Sequence, residues 1–244
     1  MLPLTNMLTE LHLSGFKQHL THLEQQAIEQ HWSYGDFLAK LCEQELAKRY
    51  QTRITSWRKE SGLNVAKSLS NLDLSSYSHE VSHSIQQLQS DVDWARQVHN
   101  IILFGPSGVG KSHLANALGL KLIDEGIRVK YYTGIALVQQ LQQAKTGLML
   151  GSFMSKLDRY RVIMIDDISY VKKTESETSV LFEFIAHRYE SGSLIITSNQ
   201  PFSQWDSIFP DSMMTVAAVD RLVHHARILN IEGESYRSKR KAKP

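Results

Sequence analysis

Short uninterrupted apolar runs punctuate the second half of the chain, separated by stretches in which apolar residues recur at helical spacing. Ile101-Ile102-Leu103-Phe104, Val162-Ile163-Met164-Ile165 and Leu194-Ile195-Ile196 are runs of the kind found in strands buried on both faces. Val129-Lys130-Tyr131-Tyr132 reads as a further strand. Between them, Leu114, Ala115, Leu118, Leu120 and Leu122 predict a helix beginning near Lys111; Ile135 to Ala144 and Met149 to Arg159 predict two more. Strand and helix in alternation predict an α/β fold with a parallel sheet between helices. The crossover that carries 135–159 is long for a simple βαβ unit.

The first part of the chain has no strand alternation. Leu8, Leu11, Leu13, Phe16 and Leu20 recur at helical spacing, and after a break at Ser33-Tyr34-Gly35-Asp36 a longer helix begins, with Asp36 as a candidate cap. A small all-helical N-terminal domain is expected over 1–68. The polar stretch Ser68 to Ser78 reads as a linker, and Val81 to Val98 as a lead-in helix with Ile85, Leu88, Val92 and Ala95 inward. Linker and lead-in helix together take 69–98, and the α/β domain takes 99–244.

Composition narrows the class. With 244 residues, 42% of them apolar, the chain can bury sizeable cores. Its single cysteine, Cys42, excludes an internal disulfide and reads as a small buried hydrophobe, which points to a reducing, cytoplasmic setting. No apolar run approaches membrane-spanning length, and the polar, charged first residues do not resemble a secretory leader. The formal net charge is only +2, but from Arg221 onward seven basic residues face Glu232 and Glu234. Such a tail, including Lys239 and Arg240, suits either an anionic partner or a solvated terminus. Lys48, Arg49, Arg53, Arg58 and Lys59 interleave with Tyr50 and Trp57, which suits a helix lying on a phosphate backbone or a charged outer face with aromatic anchors. Lys145, Lys156 and Arg159 decorate the long crossover and could meet nucleic acid in a ring of subunits.

Chemistry enters at Gly105, Pro106, Ser107, Gly108, Val109, Gly110, Lys111 and Ser112, followed by His113. The pattern G-x-x-x-x-G-K-[ST], placed after a strand and opening a helix, is a phosphate-binding loop. Its amides and the helix N-terminus face phosphate oxygens, Lys111 reaches the β- and γ-phosphates, and Ser112 ligates magnesium. ATP and Mg2+ are the expected ligands. The apolar run at 162 ends in Asp166 and Asp167, at the sheet edge where α/β folds bind ligands; Asp166 suits the metal and Asp167 the attacking water. If the strand ending at Asn199 lies beside that one, Asn199 can bond the water or the γ-phosphate, and it can also belong to a turn before Pro201. Arg221 and Arg237 come late in the chain, as an arginine reaching into a neighbouring subunit or as surface residues.

This order of motifs resembles an AAA+ ATPase, and more narrowly the IstB-type ATPases that assist transposases. The residues that carry the resemblance are GPSGVGKSHLANALG (105–119), VIMIDDIS (162–169), IITSNQPFSQW (195–205), DRLVHHARILNIEGESYR (220–237) and FLAKLCEQELAKR (37–49). It implies Asn199 as the first nucleotide sensor, Arg221 as the trans-acting arginine finger and Arg237 as the second sensor. It implies a helical module that contacts target DNA or the transposase, and homo-oligomers that assemble with ATP on double-stranded DNA. Asp167 stands where most AAA+ proteins carry Glu, which implies slow hydrolysis, and only 45 residues follow Asn199, too few for a full helical lid. The alternatives are a DnaC-type loader of a replicative helicase and a small-molecule kinase that shares the loop.

Overall fold

The computed structural model describes residues 3–168, 174–207, 212–233 and 236. By its contacts the chain divides into two units, Met1–Trp57 and Arg58–Pro244. The division precedes the expected boundary at 68, because the segments after Trp57 pack onto the sheet unit.

The first unit is helical, with α1 (Leu4–Glu10), α2 (Ser14–Glu29) and most of α3 (Tyr34–Ser61). The leucine periodicity over 8–20 is split between two helices by His12, whose backbone is left-handed at φ 55°. The buried carboxylate of Glu45, on α3, accepts the amides of Gly15 and Phe16 at 2.5 and 3.4 Å, so it satisfies free donors in the first turn of α2. The hydrogen bond from Arg49, reinforced by those two amides, holds this carboxyl below its ordinary range. Asp36 is not the helix cap. Ser33 caps α3, its Oγ accepting the Asp36 amide at 3.1 Å while Asp36 accepts the Ser33 amide at 3.3 Å, a reciprocal box. Cys42 is exposed rather than buried. Leu41 and Glu45, four residues apart, take the inward side, and Cys42 lies about 100° round the helix from Leu41.

In the second unit, α4 (His79–Ser90) and α5 (Asp93–Arg96) replace the single lead-in helix expected over 81–98. The break falls where Asp91 turns its carboxylate onto the Asp93 amide at 2.8 Å. Then come β1 (Asn100–Phe104), α6 (Lys111–Asp124), β2 (Val129–Thr133), α7 (Gly134–Thr146), α8 (Leu150–Leu157), β3 (Val162–Asp166), α9 (Glu175–Arg188), β4 (Ser193–Ser198), α10 (Ser212–Val223) and β5 (Ala226–Asn230). The sheet is parallel with order β2-β3-β4-β1-β5. β5 is a strand that periodicity did not predict; Arg227, Ile228 and Asn230 are exposed at the sheet's edge, so its pattern lacks the apolar run of a central strand.

Strand residues divide by parity between two cores. Ile102, Phe104, Ile163, Ile165, Leu194 and Ile196 join a cluster with Leu137 and Leu141 of α7, Phe184 of α9 and Leu222 of α10. Ile101, Leu103, Met164 and Ile195 are equally buried, on the face where α6 packs. Each such side chain contributes roughly 1.5–3 kcal/mol through removal from water. No described helix is long and apolar enough to cross a membrane.

Candidate functional site

The strand order decides which residues meet. β4 lies between β1 and β3, with Phe104 paired to Ser198 and Ile165 to Ile196. The carboxyl ends of three strands therefore deliver the phosphate loop, Asn199 and the two aspartates to one edge. Open parallel sheets bind ligands at that edge.

Gly105 leaves β1 at φ 144°, and a Cβ there would run into the carbonyl oxygen of Ile231. The close approach follows from β5, because the Ile231 amide donates to the Phe104 carbonyl at 2.8 Å as the chain passes over the loop. Gly110 stands at φ 101° just before α6, and a Cβ there would sit 2.5 Å from the Tyr77 hydroxyl. Lys111 is 5% exposed and folds back on the loop, its Nζ donating to the carbonyls of Gly105 and Pro106 at 2.7 and 2.8 Å.

Asp166 ends β3 and is buried. Thr197 of β4 donates its hydroxyl to Asp166 Oδ1 at 2.6 Å, and the same hydroxyl accepts the Asp167 amide at 2.9 Å. Tyr131 donates to Asp166 Oδ2 at 3.4 Å. Burial, with the Asp166 charge beside it, pushes the Tyr131 phenol up to about 12, so it keeps its proton at neutral pH. Asp167 turns into the left-handed region at φ 54° and is exposed. Behind it, a Cβ on Gly134 would lie 3.0 Å from the Asp167 carbonyl oxygen, so the start of α7 packs directly on the acidic turn.

A pocket of about 470 Å³ opens over the loop, lined by residues from Ser107 to His113, by Asp167 and by Tyr236. Its other wall comes from Lys67, Asn71, Leu72, Asp73, Ser76 and Tyr77. All of these but Lys67 belong to the stretch 68–78 read from its polar composition as a linker. Asn116 of α6 ties that wall down, accepting the Asn64 amide at 2.8 Å and donating to the carbonyls of Asn64 and Lys67 at 2.8 and 3.0 Å. Burial raises the Tyr77 phenol to about 12, and its ring forms part of a semi-apolar wall opposite the loop. Leu69, Leu72, Leu74 and Tyr77 among serines were the available signal, since a solvated linker has no need of four large apolar groups. The volume, the glycine turn and the buried lysine fit a nucleoside phosphate.

The remaining predicted residues lie elsewhere. Arg221, on α10, donates to the Ala217 carbonyl at 2.8 Å and lies over the Phe182 ring at 5.2 Å. Its neighbour Leu222 accepts a hydrogen bond from Asn100, the first residue of β1, so Arg221 sits at the amino edge of the sheet, opposite its own phosphate loop. Arg237, Lys239 and Arg240 lie outside the described residues. Lys48 is bound to Gln18 at 2.8 Å, Arg49 to Glu45 at 2.7 Å, and Arg53 lies over the rings of Tyr50 and Trp57. Arg58 pairs with Asp124 and Lys145 with Glu183, both at 2.6 Å, while Arg159 lies over the Tyr160 ring. Lys59 and Lys156 are exposed.

Residues 6–244 match the family described as IstB-like ATP binding protein. A relative from Sinorhizobium fredii, named "Putative insertion sequence ATP-binding protein", is 43% identical over 231 residues, covering 95% of this chain and 78% of that protein. Among solved structures, DnaA bound to AMPPCP and single-stranded DNA superposes with TM-score 0.58 at 18% identity over 71% of this chain, which spans about half (52%) of that DnaA chain. The DnaC helicase loader superposes with TM-score 0.56 at 20% identity, over 66% of this chain and 97% of that one. These two likenesses are likenesses of fold, and the fold they share is the AAA+ phosphate-loop sheet.

Proposed function

Because this chain belongs to the family of IstB-like ATP-binding proteins, we propose that it is an ATP-hydrolysing helper of an insertion sequence, assembling on double-stranded DNA and acting on the transposase. The observation that carries the reading is the separation of two half-sites. Loop, acids and Asn199 share the carboxyl edge of the sheet, whereas Arg221 stands at the amino edge. A guanidinium so placed serves a neighbour's nucleotide, which makes hydrolysis depend on assembly.

In this reading the loop amides and Lys111 bind the β- and γ-phosphates. Lys111 exchanges the Gly105 and Pro106 carbonyls for phosphate oxygens, which carry full charge and make stronger hydrogen bonds. Ser112 and Asp166 hold magnesium, which when bound neutralises charge on the phosphate oxygens. Thr197 and Tyr131 fix the Asp166 carboxylate before any ligand arrives. Asp167 accepts a proton from the water as its oxygen bonds to the γ-phosphorus and the bond to the β-phosphate oxygen breaks. Asn199 orients that water. Arg221 of one subunit stabilises the charge that develops at the site of the next, and Arg237 senses the nucleotide. The helical unit, the crossover lysines and the basic tail supply contacts to DNA and transposase.

The test is electron microscopy of the protein with duplex DNA and a slowly hydrolysed ATP analogue. Ordered oligomers on the DNA are expected; a monomer with both ligands present overturns the proposal.

A further inference from the structure

Among the described residues, Glu190, His224 and His225 are the group of metal-type donors in which one ligand atom from each lies within 4.8 Å of the others. They come from two separate places in the sequence. Glu190 follows the end of α9 with its backbone in the left-handed region at φ 57°, and the two histidines form the short link between α10 and β5.

We propose that these three side chains form a binding site for a divalent transition metal of the zinc class. The chemistry of the donor set selects the ion. Two imidazoles and one carboxylate are borderline ligands, suited to Zn2+, Ni2+ or Cu2+ and not to Mg2+ or Ca2+, which prefer oxygen. The geometry needs only small adjustment. Ligands about 2.1 Å from a tetrahedral ion stand about 3.4 Å from one another, and all three side chains are exposed and can close the difference. One orienting contact is already present: the Tyr189 hydroxyl lies 2.9 Å from His224 Nδ1, which leaves Nε2 as the coordinating atom. The His224 and His225 rings are 4.1 Å apart between centroids, and one nitrogen of each lies within 4.8 Å of the other. A fourth position stays open to water.

The site lies beside the candidate arginine. Glu190, His225 and Arg221 line the same small cavity of about 10 Å³, so a dication there adds charge next to the guanidinium and clamps the end of α10 to the turn before β4. The metal site itself does not depend on the proposed ATPase reading.

Untagged, nucleotide-free protein titrated with Zn2+ by calorimetry, and with Co2+ by visible absorption, gives the test. One ion per chain is expected, with a Co2+ spectrum of tetrahedral or five-coordinate type. His224→Ala, His225→Gln and Glu190→Gln should each weaken binding by at least the ~10-fold that loss of an outer partner costs. Asp166→Asn should leave binding intact, which separates this site from the phosphate loop, and circular dichroism of each variant separates ligand loss from misfolding. No saturable binding, binding unchanged in folded His224→Ala and His225→Gln, or displacement by equal Mg2+ overturns the proposal.

Discussion

A hydroxyl that donates to Asp166 and accepts from the Asp167 amide uses its proton and a lone pair at once, and Thr197 does this while fully buried itself. Valine has nearly the same shape and neither capacity. Thr197→Val should therefore lower stability by about 1–3 kcal/mol, since a buried carboxylate and a half-buried amide both lose a partner; urea denaturation measures it. If, as proposed, the loop holds the phosphates and the acids act on the water, nucleotide affinity should hold within severalfold while turnover falls at least tenfold. Gly110 gives the opposite separation. In Gly110→Ala the Cβ meets the Tyr77 hydroxyl, and φ 101° costs an L-residue about 1–2 kcal/mol besides. Binding of a fluorescent ATP analogue should weaken more than tenfold, and the unfolding midpoint should fall by only the few degrees that this strain costs. Equal affinity in wild type and Gly110→Ala would falsify the placement of the phosphates against this turn.

At the scale of elements, the end of α3 is fastened to the sheet through Glu60. Arg128, just before β2, and the Tyr160 hydroxyl, just before β3, each donate to its carboxylate at 2.7 Å. Those two hydrogen bonds, Arg128 first, hold the Glu60 carboxyl below its ordinary 4.5. Unfolded, Glu60 takes up its proton near pH 4.5; folded, it resists to lower pH. Its contribution is thus fully present above about 4.5 and is lost as pH falls through the folded value. Denaturation midpoints of wild type and Glu60→Gln should differ at pH 7 and draw together as pH falls below 4.5. The segment that follows Ser61 shows what element-level reading misses. Its polar stretch over 68–78 reads as a linker, yet Asn116, through Asn64 and Lys67, and the apolar side chains of 69–77 seat it over α6 and the loop as a pocket wall. Polar composition predicts loop and carries no information on whether the loop is anchored, because the anchor is 52 residues away.

For the whole molecule, the decisive distance is the one between the two sheet edges. If Arg221 serves a neighbour, Arg221→Ala should bind ATP within about threefold of wild type and lose turnover by 10³-fold or more, the scale set by trans-acting arginines. Mixing Arg221→Ala with a Lys111→Ala protein, inactive for a different reason, should restore part of the activity by pairing an intact loop with an intact arginine. Lack of any restoration, with both variants folded, argues for action within one chain.

Sequence alone determined the phosphate loop, the acidic strand and the parallel α/β class, because each rests on local chemistry: glycines where the backbone must turn, and unbroken apolar runs where both faces are covered. The basic stretch at 48–59 shows the limit of that chemistry. Sequence offered phosphate contacts or aromatic anchors, and in the structure Lys48, Arg49, Arg53 and Arg58 each have partners within the chain. Likewise Cys42 is exposed because the inward stripe of α3 falls on Leu41 and Glu45, a rotational detail that composition does not fix. Only the tertiary structure decided that β4 separates β1 from β3, that Thr197 joins the two aspartates, that β5 closes over Gly105, and that Arg221 stands at the far edge. Strand order, and what lies beside a residue across it, is set by packing between segments distant in sequence, where no local periodicity reaches.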